Sequence, residues 1–221
     1  MGRFKITEAP HKGLRNGLSQ LSLLAGNTDY TDKEKVKELY SLGKDIFLLL
    51  NEHANDENTV VLAELEKKVP GSSKHDMNDH EEIEILQTKL EHDLDNVYNK
   101  TMAGEDTNVL GADFYFNLAN FHSRYLLHMA EEETLTAKLL WDNFTDEEIM
   151  EMRNTIISRF KPELMVKWQR FILPALSRGQ RAQIIGGVKA TAPEHVYKLF
   201  MDICKLYLAA DDYKDLVQKI G

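Results

Sequence analysis

Apolar residues recur every three or four positions along almost the whole chain, and the strict alternation that marks strands is nearly absent. The spacing predicts a first helix from about His11 to Ala25, stopped by Gly26-Asn27. Thr31 and Glu34 match a capping box that opens a second helix, which runs to about Glu57 or a little beyond. Pro70-Gly71-Ser72-Ser73 is a turn before a third helix, about Asp76 to Asn99. The polar stretch from Gly104 to Thr107 leads into a fourth, about Val109 to Leu140. Short connections make neighbouring helices antiparallel, so the expected fold is all-α, an up-down-up-down four-helix bundle over residues 1–144.

After Asn143 the helices shorten. Thr145/Glu148, Ser177/Gln180 and Thr191/Glu194 match three further capping boxes, the last with Pro193 in its first turn. Pro162, Pro174 and Gly186-Gly187 punctuate the segment. Ile156, Ile157, Phe160, Leu164, Trp168, Phe171 and Ile172 are too apolar to leave in water. Residues 145–221 are therefore expected to form a helical extension packed on the bundle or on a partner subunit, with a homodimer through these helices as one form.

The inward stripes carry chemistry. In the fourth helix Phe114, Leu118, Phe121, Tyr125, His128, Glu132, Leu135 and Leu139 follow a 4-3-4-3 spacing, the seam of a packed bundle. The second helix gives Leu39, Leu42, Ile46, Leu49, His53 and Glu57; the first gives His11, Leu14, Leu18, Leu21 and Ala25; the third gives His80, Ile83, Gln87, Leu90, Leu94 and Val97. Two copies of His-x-x-x-Glu thus lie on seams, His53/Glu57 and His128/Glu132. Four residues return a helix to nearly the same face, so each pair can offer one ion an imidazole nitrogen and a carboxylate.

The levels agree as well. His11 and His80 begin odd-numbered helices, whereas the two His/Glu pairs end even-numbered ones, so antiparallel topology sends all six residues to one end of the bundle. A lone histidine on an apolar face is ordinarily a hydrogen-bonded core residue. Six such residues are different, because buried carboxylates without counter-charge are heavily penalised and no lysine or arginine lies on the stripes at that level. A pair of divalent cations is the simplest compensation. His92 and His122 fall off the stripes and His195 opens a helix in the extension; these are expected to be solvated or structural, and His75, five residues before His80, is left open.

Composition narrows the classes without choosing one. A net charge of -9 argues against nucleic-acid or anionic-membrane partners. Cys204 is the only cysteine, so no intrachain disulfide forms. The start Met1-Gly-Arg-Phe-Lys-Ile-Thr has no apolar signal core, and no stretch reaches the length of a membrane span, so the expectation is a cytoplasmic protein.

Over residues about 8–144 the order of these pieces, with the strings Asn51-Glu-His-Ala-Asn-Asp-Glu57, Asp79-His-Glu-Glu-Ile83 and Leu127-His-Met-Ala-Glu-Glu-Glu133, resembles the hemerythrin-like (HHE cation-binding) family. The resemblance implies a non-haem di-iron site with His11, His53, His80 and His128 as terminal ligands and Glu57 and Glu132 bridging. The segment Trp168 to Leu176 likewise resembles tails found after some hemerythrin-like domains.

The departures matter for function. Oxygen-carrying hemerythrins bring two histidines four apart from the third helix, whereas His75 and His80 are five apart. They also end in His-x-x-x-x-Asp, whereas this chain has Glu132 and Glu133, of which helical phase selects Glu132. Four histidines leave more coordination positions for water, O₂, NO or peroxide. The expected function is a di-iron protein that binds O₂ or a related small molecule for sensing, carriage or iron handling. The alternatives are an oxidase- or peroxidase-like di-iron enzyme, with Tyr125 near the metals, and an interaction protein whose metal site is structural. Manganese or zinc suits the same ligands, and iron rests on the resemblance.

Overall fold

The computed structural model describes residues 2–221 and contains no strand among them. Among these residues two compact units emerge, 2–8 with Gly17–Arg159, and Ala9–Asn16 with Phe160–Gly221. Residues 145–159 thus belong with the first unit, and the opening turns of the first helix with the second.

The helices are α1 Glu8–Asn27, α2 Lys33–Asp56, α3 Leu62–Lys68, α4 Lys74–Ala103, α5 Asn108–Glu131, α6 Ala137–Asn143, α7 Asp146–Ser158, α8 Pro162–Ala175, α9 Arg178–Thr191, α10 Glu194–Tyr207 and α11 Ala210–Ile220. In the first unit Gly17–Asn27 of α1, with α2, α4 and α5, forms the four-helix bundle. Ser22 Oγ meets His122 Nδ1 at 2.9 Å between α1 and α5. Gln87 Nε2 donates to the Phe47 carbonyl at 3.0 Å between α2 and α4, and Asn117 Nδ2 to Asp93 at 3.2 Å between α4 and α5. The stripes expected from spacing are buried: Leu18, Leu21 and Ala25; Leu39, Leu42, Ile46 and Leu49; Ile83, Leu90, Leu94 and Val97; Phe114, Leu118, Phe121 and Tyr125. Each such Leu, Ile or Phe contributes about 1.5–3 kcal/mol relative to exposure.

At the end of the bundle where α1 leaves and α5 begins, a polar knot ties the loops. The Tyr30 carbonyl accepts from Thr107 Oγ1 at 2.6 Å and from Thr101 Oγ1 at 3.4 Å, and the two hydroxyls lie 2.7 Å apart. The Tyr30 ring lies directly over Gly111, where a Cβ would stand 2.2 Å from the ring. The cap of α2 differs from expectation: Asp32 accepts the N–H groups of Glu34 and Lys35, while Thr31 donates to Asp29. A carboxylate at this position satisfies the orphan donors and complements the helix dipole, so Thr31 is not needed.

At the other end both even-numbered bundle helices change their winding. Glu57–Val61 after α2 and Glu132–Thr136 after α5 are single π-helical segments. The Leu62 N–H bonds to the Glu57 carbonyl, and the Ala137 N–H to that of Glu132, five residues back instead of four. Each segment inserts one residue into the helical phase. The 4-3 seam expected through Leu135 and Leu139 therefore breaks: Leu135 is 57% exposed, and Thr136 and Leu140 take the buried face.

Beyond these turns a second apolar layer closes the first unit. Val60, Val61, Leu62 and Leu65 pack with Leu140, Phe144, Ile149 and Met152, and Phe4 and Ile6 join them. Arg3 fastens the N-terminal segment, pairing with Asp146 at 2.7 Å and donating to the carbonyls of Trp141 and Phe144. The capping box Thr145/Glu148 forms as the spacing predicts and starts α7 on this layer.

The second unit packs α8 against α10, α9 against α10 and α11, and α10 against α11. Pro162 opens α8, Pro174 sits in its last turn, and the Ser177/Gln180 box opens α9. Two expectations fail here. Gly186-Gly187 lies inside α9 and interrupts nothing, and Thr191 ends α9 while Pro193 caps α10. Neither glycine has a positive φ, and the capping box at the start of α9 with buried Ile185 beside them holds the helix despite their low propensity. Arg181 is buried and donates to the carbonyls of Leu173 and Leu176, each at 2.9 Å, satisfying the end of α8. Among the described residues no helix is long and apolar enough to cross a membrane.

Gly111 and Gly43 give contrasting tests, since a Cβ at Gly43 comes too close only to the tip of Leu94, at 2.4 Å, and makes ordinary contacts with Phe47 and Leu21. Gly111→Ala is expected to destabilise by about 1–3 kcal/mol, because a buried ring must shift. Gly43→Ala, where a flexible leucine end gives way and alanine gains up to about 1 kcal/mol of helix propensity, should stay close to the parent. Thermal denaturation of both variants checks the order.

Candidate metal centre

The two π-helical turns begin at the two glutamates that sequence phase selected. Glu57 and Glu132 each follow an α-helix and start the wider turn, and both are buried, below inward stripes that are otherwise mostly apolar. One turn earlier on each helix stands the paired histidine. His53 Nε2 lies 3.3 Å from Glu57 Oε2, and His128 Nε2 lies 3.2 Å from Glu132 Oε1.

His80, in the second turn of α4, joins the two halves. Its Nε2 faces Glu57 Oε2 at 3.5 Å and Glu132 Oε1 at 3.3 Å. Glu57, His80, His128 and Glu132 each bring one donor atom to within 4.8 Å of the others. The His80 and His128 rings meet edge to face, 4.8 Å between centroids. His11 occupies the first turn of α1, buried, on the stripe of Leu14, Leu18 and Leu21; it falls in the second unit.

His92 and His122 behave as their phase predicts, and His195 is solvated at the start of its helix. His92 and His195 are exposed. His122 faces Ser22, and burial lowers its pKa. His75, whose role the spacing left open, is exposed and stands 3.5 Å from Glu131 at the surface.

Around the cluster the structure adds residues that spacing did not single out. His80 Nδ1 donates to Asn58 Oδ1 at 2.8 Å, and His128 Nδ1 donates to Asp79 Oδ2 at 2.7 Å. Both bonds orient the rings with Nε2 toward the two carboxylates, which is how imidazoles are held for metal binding. Asp79 also pairs with Arg124. One turn before His80, buried Asp76 accepts from Thr136 Oγ1 at 2.5 Å. Burial raises the Asp76 pKa against the pull of that bond, and Glu132 raises it further. The signals were weak ones: Asn58 and Asp79 are sequence neighbours of Glu57 and His80, and Arg124 lies four residues before His128.

The electrostatics ask for positive charge. Burial works against a charge on His80, yet Glu132 and Glu57 together outweigh it and push the imidazole up to about 10. Tyr125, one turn before His128 with its ring 5.5 Å away, is buried; burial first, then Glu132 and Glu57, lifts its phenol well above the ordinary value. Buried His80 Nε2 nevertheless has no hydrogen bond of good geometry. An Nε2 held between two carboxylates, with the ring's other nitrogen tied to Asn58, stands where a divalent cation would take the place of its proton. The donor set therefore fits a metal centre.

A model of the hemerythrin HHE cation binding domain family matches residues 4–140 of the chain. No curated protein and no solved structure matches it.

Removing one imidazole from the cluster should lower metal content sharply: His53→Ala or His128→Ala is expected to lose most bound metal on desalting, whereas His122→Ala should retain the parental amount. Elemental analysis of the purified variants, with circular dichroism to confirm folding, distinguishes them. Equal loss in His122→Ala would contradict the assignment of the inward stripe.

Proposed function

Because this chain belongs to the hemerythrin HHE cation-binding family, we propose that its bundle holds two non-haem iron ions and binds O₂ or a related small molecule such as NO or peroxide. The observation that carries the reading is His80, whose buried Nε2 stands between both carboxylates, 3.5 Å from Glu57 and 3.3 Å from Glu132. In this proposal Glu57 and Glu132 would be shared between the ions, His80 and His128 would serve one ion, and His53 would serve the other. Manganese or zinc would suit the same nitrogen and oxygen donors; iron follows from the family.

An iron pair, when bound, supplies two one-electron reductants beside each other with coordination positions left open. The chain's own residues do the rest. The imidazoles and the two carboxylates would hold the pair at reduced net charge, since the two carboxylates offset half of a +4 dication pair. Tyr125 packs on His128 and Phe121 on Tyr125, so the interior side of the site is buried and aromatic, which strengthens the electrostatic contacts inside. Such enclosure suits reversible binding of a small apolar molecule for sensing or carriage, or retention of iron itself.

A second reading, an oxidase- or peroxidase-like activity, draws on Tyr125. Its buried ring stands edge to face with His128, where a phenol can hold or give up a proton close to the metals. Catalytic loss of H₂O₂ that Tyr125→Phe slows without releasing metal would favour this reading over carriage.

The proposal predicts about two irons per chain in protein loaded with ferrous iron and purified without chelator, lost in Glu57→Ala/Glu132→Ala. A protein that folds but takes up no iron would overturn it.

A further inference from the structure

Asp79 stands on α4 beside His80, yet its side chain reaches across to α5. Its Oδ2 takes the Nδ1 proton of His128 at 2.7 Å, and its Oδ1 pairs with the Arg124 guanidinium. Arg124 and His128 are one turn apart on α5, so both face this one carboxylate. The Asp79 side chain is only 7% exposed, whereas Arg124 is 29% exposed and continues to the surface residue Glu82 at 3.7 Å. His80, which shares its ion with His128 in the proposed centre, has instead the neutral amide of Asn58 behind it. One imidazole of the pair is thus backed by an anion and the other by an uncharged group.

We propose that Asp79 is a positioning residue that tunes the metal pair through His128, and that Arg124 moderates it from the surface. The proposal rests on the di-iron reading above. A carboxylate accepting the Nδ1 proton fixes the ring and raises the basicity of Nε2. More negative charge at the donor atom stabilises the ferric over the ferrous ion and so lowers the potential at which the ion accepts one electron from a reductant. Arg124 draws charge away from Asp79 and acts in the opposite sense. The buried carboxylate also tolerates desolvation because the guanidinium pairs with it.

The two residues therefore shift the couple in opposite directions, which a purely structural role would not do. Asp79→Asn keeps an acceptor for His128 but removes the charge. Its iron affinity is expected to fall about 10–100-fold and its potential to rise. Arg124→Met keeps the apolar stem and removes the cation, and its potential is expected to fall while both irons stay bound. The experiment is a spectroelectrochemical titration of the iron-loaded full chain, wild type and both variants, with iron content and circular dichroism measured on the same samples. Opposite shifts support the proposal; unchanged potentials, or shifts of the same sign, in iron-loaded proteins overturn it. Should Asp79→Asn fail to fold or to load, Arg124→Met decides alone: a lowered potential supports the tuning and an unchanged or raised one overturns it. A wild type without iron refutes the di-iron reading itself, a separate outcome read from the metal content before any potential is measured.

Discussion

Two carboxylates buried inside an apolar bundle are the constraint on which the rest of this structure depends. Glu57 and Glu132 sit where leucines would otherwise continue the seams, and their charge must be met there. Water is excluded and no lysine or arginine of the stripes reaches the level, so imidazoles surround them, His53 and His128 from the same helices and His80 from a third. In the absence of a cation the cheapest response is to protonate an imidazole, which is why His80 is pushed so far up. A cation replaces that proton with a stronger partner.

The backbone is adapted to the same requirement. Both glutamates begin π-helical turns, a form found mostly as single turns at functional sites. The wider turn advances the buried face by one residue, so the helix that faces its bundle partners before the glutamate faces the second apolar layer after it. Thr136 and Leu140 point inward in place of Leu135, and Val60, Val61 and Leu65 meet Leu140 and Phe144. The two His/Glu pairs are thus related by position in the helix and also by the same local distortion. The layer beneath them, fastened by Arg3 and Trp141, closes that end of the first unit.

Much of this was legible beforehand. The stripes of α2, α4 and α5 were read by spacing and are buried residue for residue up to the glutamates, because close packing admits few polar groups and leaves a clean 3.6-residue period. Phase takes His92 and His122 off the stripes and His195 opens a helix in the extension; His92 and His195 are exposed and His122 is half-buried. The boundaries were less secure. Asp32 rather than Thr31 caps α2, and Gly186-Gly187 continues α9, since local propensities of a few tenths to one kcal/mol yield to tertiary contacts.

The sequence by itself determined the helical class, the antiparallel order, the family and the side chains that share the inward face, because these follow from periodicity and from which residue types tolerate burial. Only the tertiary structure decided what those side chains do to one another. The π-helical turns leave no mark in a hydrophobic pattern until after they have shifted it, so Leu135 and Leu139 looked like seam residues. The partners of His80 and His128 were equally hidden: Asn58 and Asp79 are ordinary polar residues in sequence, and Asp79 acquires its role only because packing of α4 against α5 brings its carboxylate between Arg124 and His128. Periodicity assigns a residue to a face, whereas a hydrogen bond depends on the ångström-level register between two helices, and that register is a property of the packed bundle.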